Sequence, residues 1–308
     1  MQDVLTLEVP PGNGHCNTTS FPITGGTRVV AAGYENGTVR QFNLDSITAA
    51  GKGSLDPKKS DSTPCSVIAC HQSSVTACAY VMREGSGEGD EKLVLVTGDS
   101  AGEICIQRGG ISAKDRIKLV SPHSGHSIRS IHSSPFDPAM FLASSDNGCI
   151  SVWKVTEEDG CEQVSCGSVD VTSEEEAELA ALGEAKPTAP MMACFSPSDS
   201  DLIMCTGGRD PCVIVFWQFA TGQIIRSIDL PVNQWPMSLC SSETSNGSAF
   251  IAVGTRSGAL IYMDYHSGTK LKCKDSIHGD IVRSLAFSSS HGQLLAASEN
   301  NLHFWEPV

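Results

Sequence analysis

No stretch of this 308-residue chain holds about 18 or more consecutive uncharged apolar residues, the length a helix needs to cross a bilayer. Membrane insertion is therefore not expected. The first fourteen residues, Met1 to Gly14, contain neither a basic region nor an apolar run and do not read as a secretory signal. Basic residues are scarce, 21 Lys and Arg against 35 Asp and Glu, for a net charge of −14. That average field repels a phosphate backbone, and no run of Lys or Arg offsets it, so nucleic acid is not expected as a direct partner. There is no Ser-His-Asp arrangement with supporting motifs and no glycine-rich loop built to cradle phosphate. No C-x-x-C occurs, and Cys161 and Cys166, separated by four residues, have no second ligand pair. These absences lead to an expectation of no catalytic residues, no cofactor, no metal and no small-molecule substrate.

Cysteine, by contrast, is plentiful. Thirteen residues is an odd count, and with no export signal it argues against a disulfide framework. Cys78 in VTACAYV, Cys105 in EICIQ, Cys194 in MMACFS and Cys205 in LIMCTGG lie inside apolar strand-like runs. There they are expected to act as small buried hydrophobes, all reduced. An intracellular setting, cytoplasmic or nuclear, is expected. The N-x-S/T sites at Asn17, Asn36 and Asn246 then carry no consequence.

One phrase recurs along the chain: an apolar strand, a small-residue step, a polar turn, and a second strand ending in an aromatic. It reads VVAAGYENGTVRQF at 29–42, LVLVTGDSAGEICIQ at 93–107, FLASSDNGCISVW at 141–153, LIMCTGGRDPCVIVFW at 202–217 and FIAVGTRSGALIYMD at 250–264. A sixth copy with a shortened turn, LLAASENNLHFW, ends at Trp305. Two β-branched or apolar runs around a turn of Gly, Asn, Asp or Pro form a hairpin signal. A histidine-led phrase precedes several copies, as in HQSSVTACAYV at 71–81, HSIRSIHSSPFDP at 126–138 and HGDIVRSLAFSSS at 278–290. In the last of these, Val282, Ser284 and Ala286 alternate with Arg283, Leu285 and Phe287, as a strand packed between two sheets would. A third stretch follows the hairpin, as in DRIKLV at 115–120, GQIIRSIDL at 222–230 and GTKLKCKD at 268–275. One unit therefore supplies about four strands.

Six such copies in consistent order resemble the WD-repeat family over nearly the whole chain. The family's Gly-His pair survives at Gly125–His126, while His71 and His278 lack the glycine. The closing Trp-Asp has drifted to Phe42–Asn43, Trp153–Lys154, Trp217–Gln218, Met263–Asp264 and Trp305–Glu306. The resemblance implies an all-β fold, a β-propeller of four-stranded blades, spanning 1–308 as a single unit. It also implies that His71, His126 and His278 belong to hydrogen-bonded networks that tie a blade together. Length alone suggests seven blades. Segments 46–64, 84–92 and 157–189 read as inserts, and without them six copies average about 41 residues, within the usual repeat. Equivalent turn positions fall at Gly37, Gly102, Gly148, Pro211, Gly258 and Asn301, and the long intervals are those that hold inserts. Six blades is the expectation. QDVLTLEVP at 2–10 has strand character and is expected to close the last blade beside the strand ending at Trp305, which removes open sheet edges. Trp305 itself is expected to pack between that blade and its neighbour.

Several residues stand out as candidates. Ser144 to Gly148 approximates the aspartate box of sialidase-type propellers, but arginine is sparse and a hairpin turn accounts for it. Asp115, Arg116 and Lys118 sit on an expected outer strand, where charges blunt an edge. Arg209, next to Asp210, and Arg256 occupy turns at the rim, facing either solvent or a partner. In TSEEEAELAALGEAKPTAP at 172–190, Ser173 is placed to cap a short helix whose first turn carries Glu174, Glu175 and Glu176. Such a helix is marginal alone, and the segment reads either as a solvated acidic loop or as a docking element. In the docking reading Glu174, Glu175, Glu176, Glu178, Leu179 and Leu182 make the contact. The expected role is a non-catalytic scaffold or adaptor subunit that binds other proteins in a larger assembly. A hydrolase-like propeller enzyme and a single-pocket peptide reader are the alternatives. The inner-strand residues Ala79, Ala193 and Ala286, small and apolar, speak against the enzyme.

Overall fold

The computed structural model describes residues 2–8, 16–20, 29–43, 65–83, 93–108, 116–119, 122–123, 125–156, 160–168, 189–208, 210–230, 235–243, 247–274, 281–288, 293–298 and 301–306. Every regular element among them is a β-strand. Strands β1 (Gln2–Glu8), β2 (Cys16–Ser20), β3 (Val29–Tyr34), β4 (Thr38–Asn43) and β5 (Cys65–Ala69) come first, with β2 to β5 forming one antiparallel sheet in chain order. β6 (Val75–Met82), β7 (Leu93–Asp99), β8 (Ile104–Arg108) and β9 (Arg116–Leu119) form the next. β10 (Ile128–Ser133), β11 (Met140–Ser145), β12 (Cys149–Val155) and β13 (Cys161–Ser168) form a third. β14 (Ala189–Phe195), β15 (Leu202–Gly208), β16 (Asp210–Gln218) and β17 (Gln223–Asp229) form a fourth. β18 (Pro236–Glu243), β19 (Ala249–Thr255), β20 (Leu260–Asp264) and β21 (Lys270–Lys274) form a fifth. β22 (Ser284–Ser288), β23 (Gln293–Ala297) and β24 (Asn301–Glu306) pair in order, and β1 adds antiparallel to β24, with Asp3 opposite Trp305.

The first strands of these sheets, β2, β6, β10, β14, β18 and β22, touch one another in succession, and β22 touches β2. The result is a β-propeller of four-stranded antiparallel blades around a central channel. Each core lies between adjacent sheets, because a sheet buries its apolar face only against another layer. Val81, Val94 and Ile106 meet Phe141 and Trp153 across one such gap, and Met192 and Phe216 meet Ile251 and Met263 across another. Each such side chain taken from water stabilises by about 1.5–3 kcal/mol. Spacing between blades is set by glycine. A Cβ on Gly33 would come within 2.6 Å of Val75 Cγ1, one on Gly98 within 2.7 Å of Ile128 Cγ2, and one on Gly254 within 2.4 Å of Val282 Cγ1. The penultimate residue of the second strand thus receives a β-branched side chain from the next blade, and only glycine leaves room for it.

Three expectations change here. Segment 157–189 is not wholly an insert: it contains β13, the outer strand of its blade, whose polar run CEQVSCGS lacks the apolar alternation of the strands inside. Pro211 lies within β16 rather than in a turn, one residue after Asp210, which pairs with Gly207. Asn301 is the first residue of β24. Positions 157–159 and 169–188 of that segment, the other two inserts, His278, Asp115 and Arg209 lie outside the described residues, as does the side chain of Trp305.

Candidate functional site

The polar clusters of this fold begin in the hairpin turns. Gly37, Gly102, Gly148 and Gly258 have φ of 77°, 83°, 78° and 84°, and each donates its N–H back to the carbonyl three residues earlier. That left-handed conformation suits glycine. The first two turns also hold the loop that enters the next blade: Cys70 N and His71 N both donate to Gly37 O at 3.1 Å. A Cβ on Gly37 would lie 2.3 Å from His71 O, and one on Gly102 2.1 Å from His123 O.

Anchored in this way, His71 reaches forward into the following blade. Its Nε2 is 2.8 Å from Thr97 Oγ1, which donates to Cys105 O, and its Nδ1 lies 3.2 Å from Asp99 Oδ2, close enough for an electrostatic contact but out of line for a full hydrogen bond. Asp99 Oδ1 accepts the N–H groups of Ala101 and Glu103 at 3.0 and 2.8 Å. Burial works to raise the Asp99 pKa, but the His71 contact and the two backbone donors outweigh it and hold the carboxyl below its ordinary value. His71, Asp99 and Glu103 bring donor atoms within 4.8 Å of one another. Asp99 is already engaged by backbone and Glu103 by an ion pair with Lys118, so the cluster belongs to the turn framework.

In the next blade this role falls to His123, not to His126 as the Gly-His pair suggests. His123 is fully buried, whereas His126 is exposed. His123 precedes Ile128 by five residues, comparable to the four between His71 and Val75, while His126 is only two away, too close to reach back under the turn. His123 Nδ1 is 2.6 Å from Ser145 Oγ, and Nε2 is 2.7 Å from Ser151 Oγ. Trp153 Nε1 donates to Ser151 Oγ at 2.7 Å, and Ser145 Oγ donates to Asn147 Oδ1 at 2.6 Å. Ser145, whose proton goes to Asn147, accepts from Nδ1–H, and a neutral ring then takes the Ser151 proton at Nε2. Burial, aided by the neighbouring His126, pushes its pKa down to about 4. The hydroxyl has moved between strands: Thr97 on β7 faces Cys105, whereas Ser151 on β12 faces Ala143.

The remaining candidates are mostly structural. Gly148 N closes the Ser144–Gly148 turn on Ser145 O, Ser144 Oγ donates to Met191 O at 2.9 Å, and Asp146 is paired with Arg129 at 2.6 Å. Lys118 lies on β9, the outer strand of its sheet, as expected, and β9 also contains Arg116. Arg256 is exposed at its turn, with its guanidinium 5.5 Å from the Trp235 ring centroid.

Sequence reasoning places Ala79 and Ala286 on inner strands, but it misses the polar and aromatic residues that join them in the channel. A cavity of about 360 Å³ lies where β2, β6, β10, β14, β18 and β22 converge. Its wall combines Ala77, Ala79, Leu239 and Ala286 with His132, Arg129, Arg283 and Glu243, and Phe136 stands 46% exposed beside Pro135. Burial pushes the His132 pKa down to about 4. The lining thiols are equally quiet. Burial raises Cys194 to about 12 and Cys240 well above its ordinary value, so neither is a thiolate at neutral pH. The ten cysteines whose side chains are described are free thiols.

Against this geometry, the family model described as "WDR90, 4th beta-propeller" matches residues 14–308. The chain belongs to this family. A curated relative, mouse WD repeat-containing protein 90, is 25% identical over 287 residues, which cover 90% of this chain and 13% of that protein. The propeller thus spans about an eighth of its relative's length. A chain from the "Crystal Structure of Mitotic Checkpoint Complex" shares the fold with a TM-score of 0.59 at 17% identity, covering 99% of this propeller and 94% of that chain. The WD-repeat character is carried here by turn glycines and His–hydroxyl networks, with Trp153 the one family tryptophan seen hydrogen-bonding inside such a network among the described residues. No helix among the described residues is long and apolar enough to cross a membrane.

Proposed function

We propose that this propeller is a non-catalytic adaptor that binds other proteins in a larger intracellular assembly, as a closed disc of six blades completed by β1 on β24. The carrying observation is where the ionisable groups are placed. His71 and His123 are spent between blades, while the cavity presents neutral His132, protonated thiols, small side chains and an exposed Phe136 beside Pro135. An exposed aromatic at the mouth of a rigid channel is the type of anchor that protein interfaces favour. The chain's net charge of −14 disfavours nucleic acid as a direct partner. The acidic residues Glu174, Glu175, Glu176 and Glu178 with Leu179 and Leu182, together with Arg209 and Arg256, are assigned as further partner contacts.

Affinity capture from cells followed by mass spectrometry tests this reading, comparing wild type with Phe136→Asp and with a variant whose residues 172–186 are replaced by a short Gly/Ser linker. Both variants should melt like wild type, since loop length carries a weak entropic cost. Each should lose a specific subset of partners. Equal recovery from all three proteins at equal stability overturns both assignments.

A further inference from the structure

Most of the cysteines whose side chains are described are core residues, but two of them meet at a blade surface. Cys149, the first residue of β12, is half-buried, and Cys166 on β13 is the one exposed member of that set. Their sulfurs lie 3.6 Å apart. The register explains the approach. Cys149 pairs with Ser168 and Ser151 with Cys166, so the two cysteines occupy diagonal positions on one face of the sheet. The bulge in this ladder falls after Val152 and leaves the face in phase here. Diagonal neighbours on an antiparallel pair are within side-chain reach.

Both backbones are fixed where the sulfurs meet. Gly148 N donates to Ser145 O at 3.0 Å and Cys149 N to Asn147 Oδ1 at 3.1 Å, which holds the start of β12. On β13, the residues on either side of Cys166 are held by the next blade. Ser165 Oγ donates to Phe219 O at 3.3 Å, and a Cβ on Gly167 would come within 2.6 Å of the Trp217 ring. Closing from 3.6 Å to the bonded sulfur separation of about 2.05 Å is therefore left to side-chain rotation. Packing does not account for the pair, because Cys166 is exposed.

We propose that Cys149 and Cys166 form a surface dithiol that exchanges with small-molecule disulfides and closes into an intramolecular bond. Cys166, the more accessible thiol, reacts first as its thiolate. Its sulfur attacks one sulfur of the small disulfide, that S–S bond breaks, and one small thiol leaves after taking a proton from water. A mixed disulfide remains on Cys166. Cys149 then gives its proton to solvent and attacks Cys166 Sγ, expelling the second small thiol. Two protein thiols are oxidised by two electrons, and one small disulfide is reduced to two thiols. Burial, with the Cys166 thiol beside it, pushes Cys149 up to about 12, so it waits protonated. Capping Cys166 removes the neighbour's part of that shift. The bond ties the outer strand of the blade to the strand that carries Ser151 and Trp153, and it is independent of the channel reading.

The test exposes the purified, reduced chain to oxidised glutathione, followed by acid quenching, alkylation of the remaining thiols and non-reducing peptide mapping by mass spectrometry. The expected product is an intramolecular Cys149–Cys166 crosslink that excess reduced glutathione reverses. Cys149→Ser should stop at glutathione on Cys166, and that adduct should persist at least about tenfold longer than in wild type, because the resolving thiol is intramolecular. Cys166→Ser should lose the crosslink, and its Cys149 should take up glutathione at least about tenfold more slowly than Cys166 does in the other variant. Thermal melts check that both serine variants fold, and the wild-type map decides the pairing without them. A wild-type chain that stays unmodified, or stops at a glutathione adduct, overturns the proposal. A crosslink through another cysteine, or a disulfide between two chains, overturns it as well.

Discussion

Removing the His123 imidazole leaves Ser145 and Ser151 buried without the partner that completes their hydrogen-bond chain, although Ser151 still accepts from the Trp153 indole. Each unsatisfied buried polar group costs about 1–3 kcal/mol, so His123→Ala should destabilise by about 3 kcal/mol in urea unfolding. His126→Ala, three residues on and exposed, should cost less than about 0.5 kcal/mol. Protonation acts in the same direction as the deletion. Burial lowers the His123 pKa from 6.5 to about 4, and does the same to His132. The unfolded chain therefore binds more protons than the folded one between these values. Stability contributed by neutral His123 and His132 is complete above about pH 6.5 and declines as pH falls towards about 4. Chemical denaturation across that window should show the decline, and His123→Ala should flatten part of it. At this scale the sequence was partly legible. Its turn glycines are visible as N-G, A-G and S-G steps, but choosing His123 over His126 requires knowing that β10 starts at Ile128, which the sequence does not mark. That choice depends on how far a side chain must reach back under a turn. The channel position of His132 depends likewise on which strand ends up innermost.

Among the elements, hairpins were readable because each carries its own turn chemistry, whereas contacts between blades were not. Gly98 looks like a weak spot in a strand until Ile128 of the next blade is seen filling the space where its Cβ would stand. The outer strands were hardest to read: β13 is polar enough to pass for a loop, and the bulges at Val164, Ile225 and Leu271 follow from register, which pattern alone does not give. Arg226 shows how an outer strand is held in place. Arg226→Ala loses two charge-assisted bonds to the 265–266 turn and its stacking on Phe216, and should cost about 2–4 kcal/mol in thermal or urea unfolding. Lysine should not restore it, because one ammonium cannot stack on Phe216 as a planar guanidinium does while reaching both carbonyls.

For the whole molecule, the pairing of β1 with β24 carries the heaviest consequence. Deleting residues 2–8 bares the β24 edge, and open edges recruit other chains. The truncated protein should melt at lower temperature and self-associate in light scattering, while a monomer of unchanged stability would argue against the closed disc. Fold class was legible because six copies of one phrase in order outweigh the drift of any single copy. The large insert is a different case, since its acidic composition fits a loop and a docking helix equally well.

The direction of that pairing also has a mechanical meaning. Gln2 lies opposite Glu306 and Asp3 opposite Trp305, so the two ends of the described chain meet at the same end of the ladder. A force pulling these ends apart loads one rung at a time, beginning with the pair at Gln2 and Glu306. It does not load all the rungs in parallel, as shear would. The ring should therefore unzip at its seam under a small tension and re-form when the tension is released, while the blades joined through His71 and His123 stay folded. A propeller strung within a longer chain would then yield first at this seam and keep its blades intact.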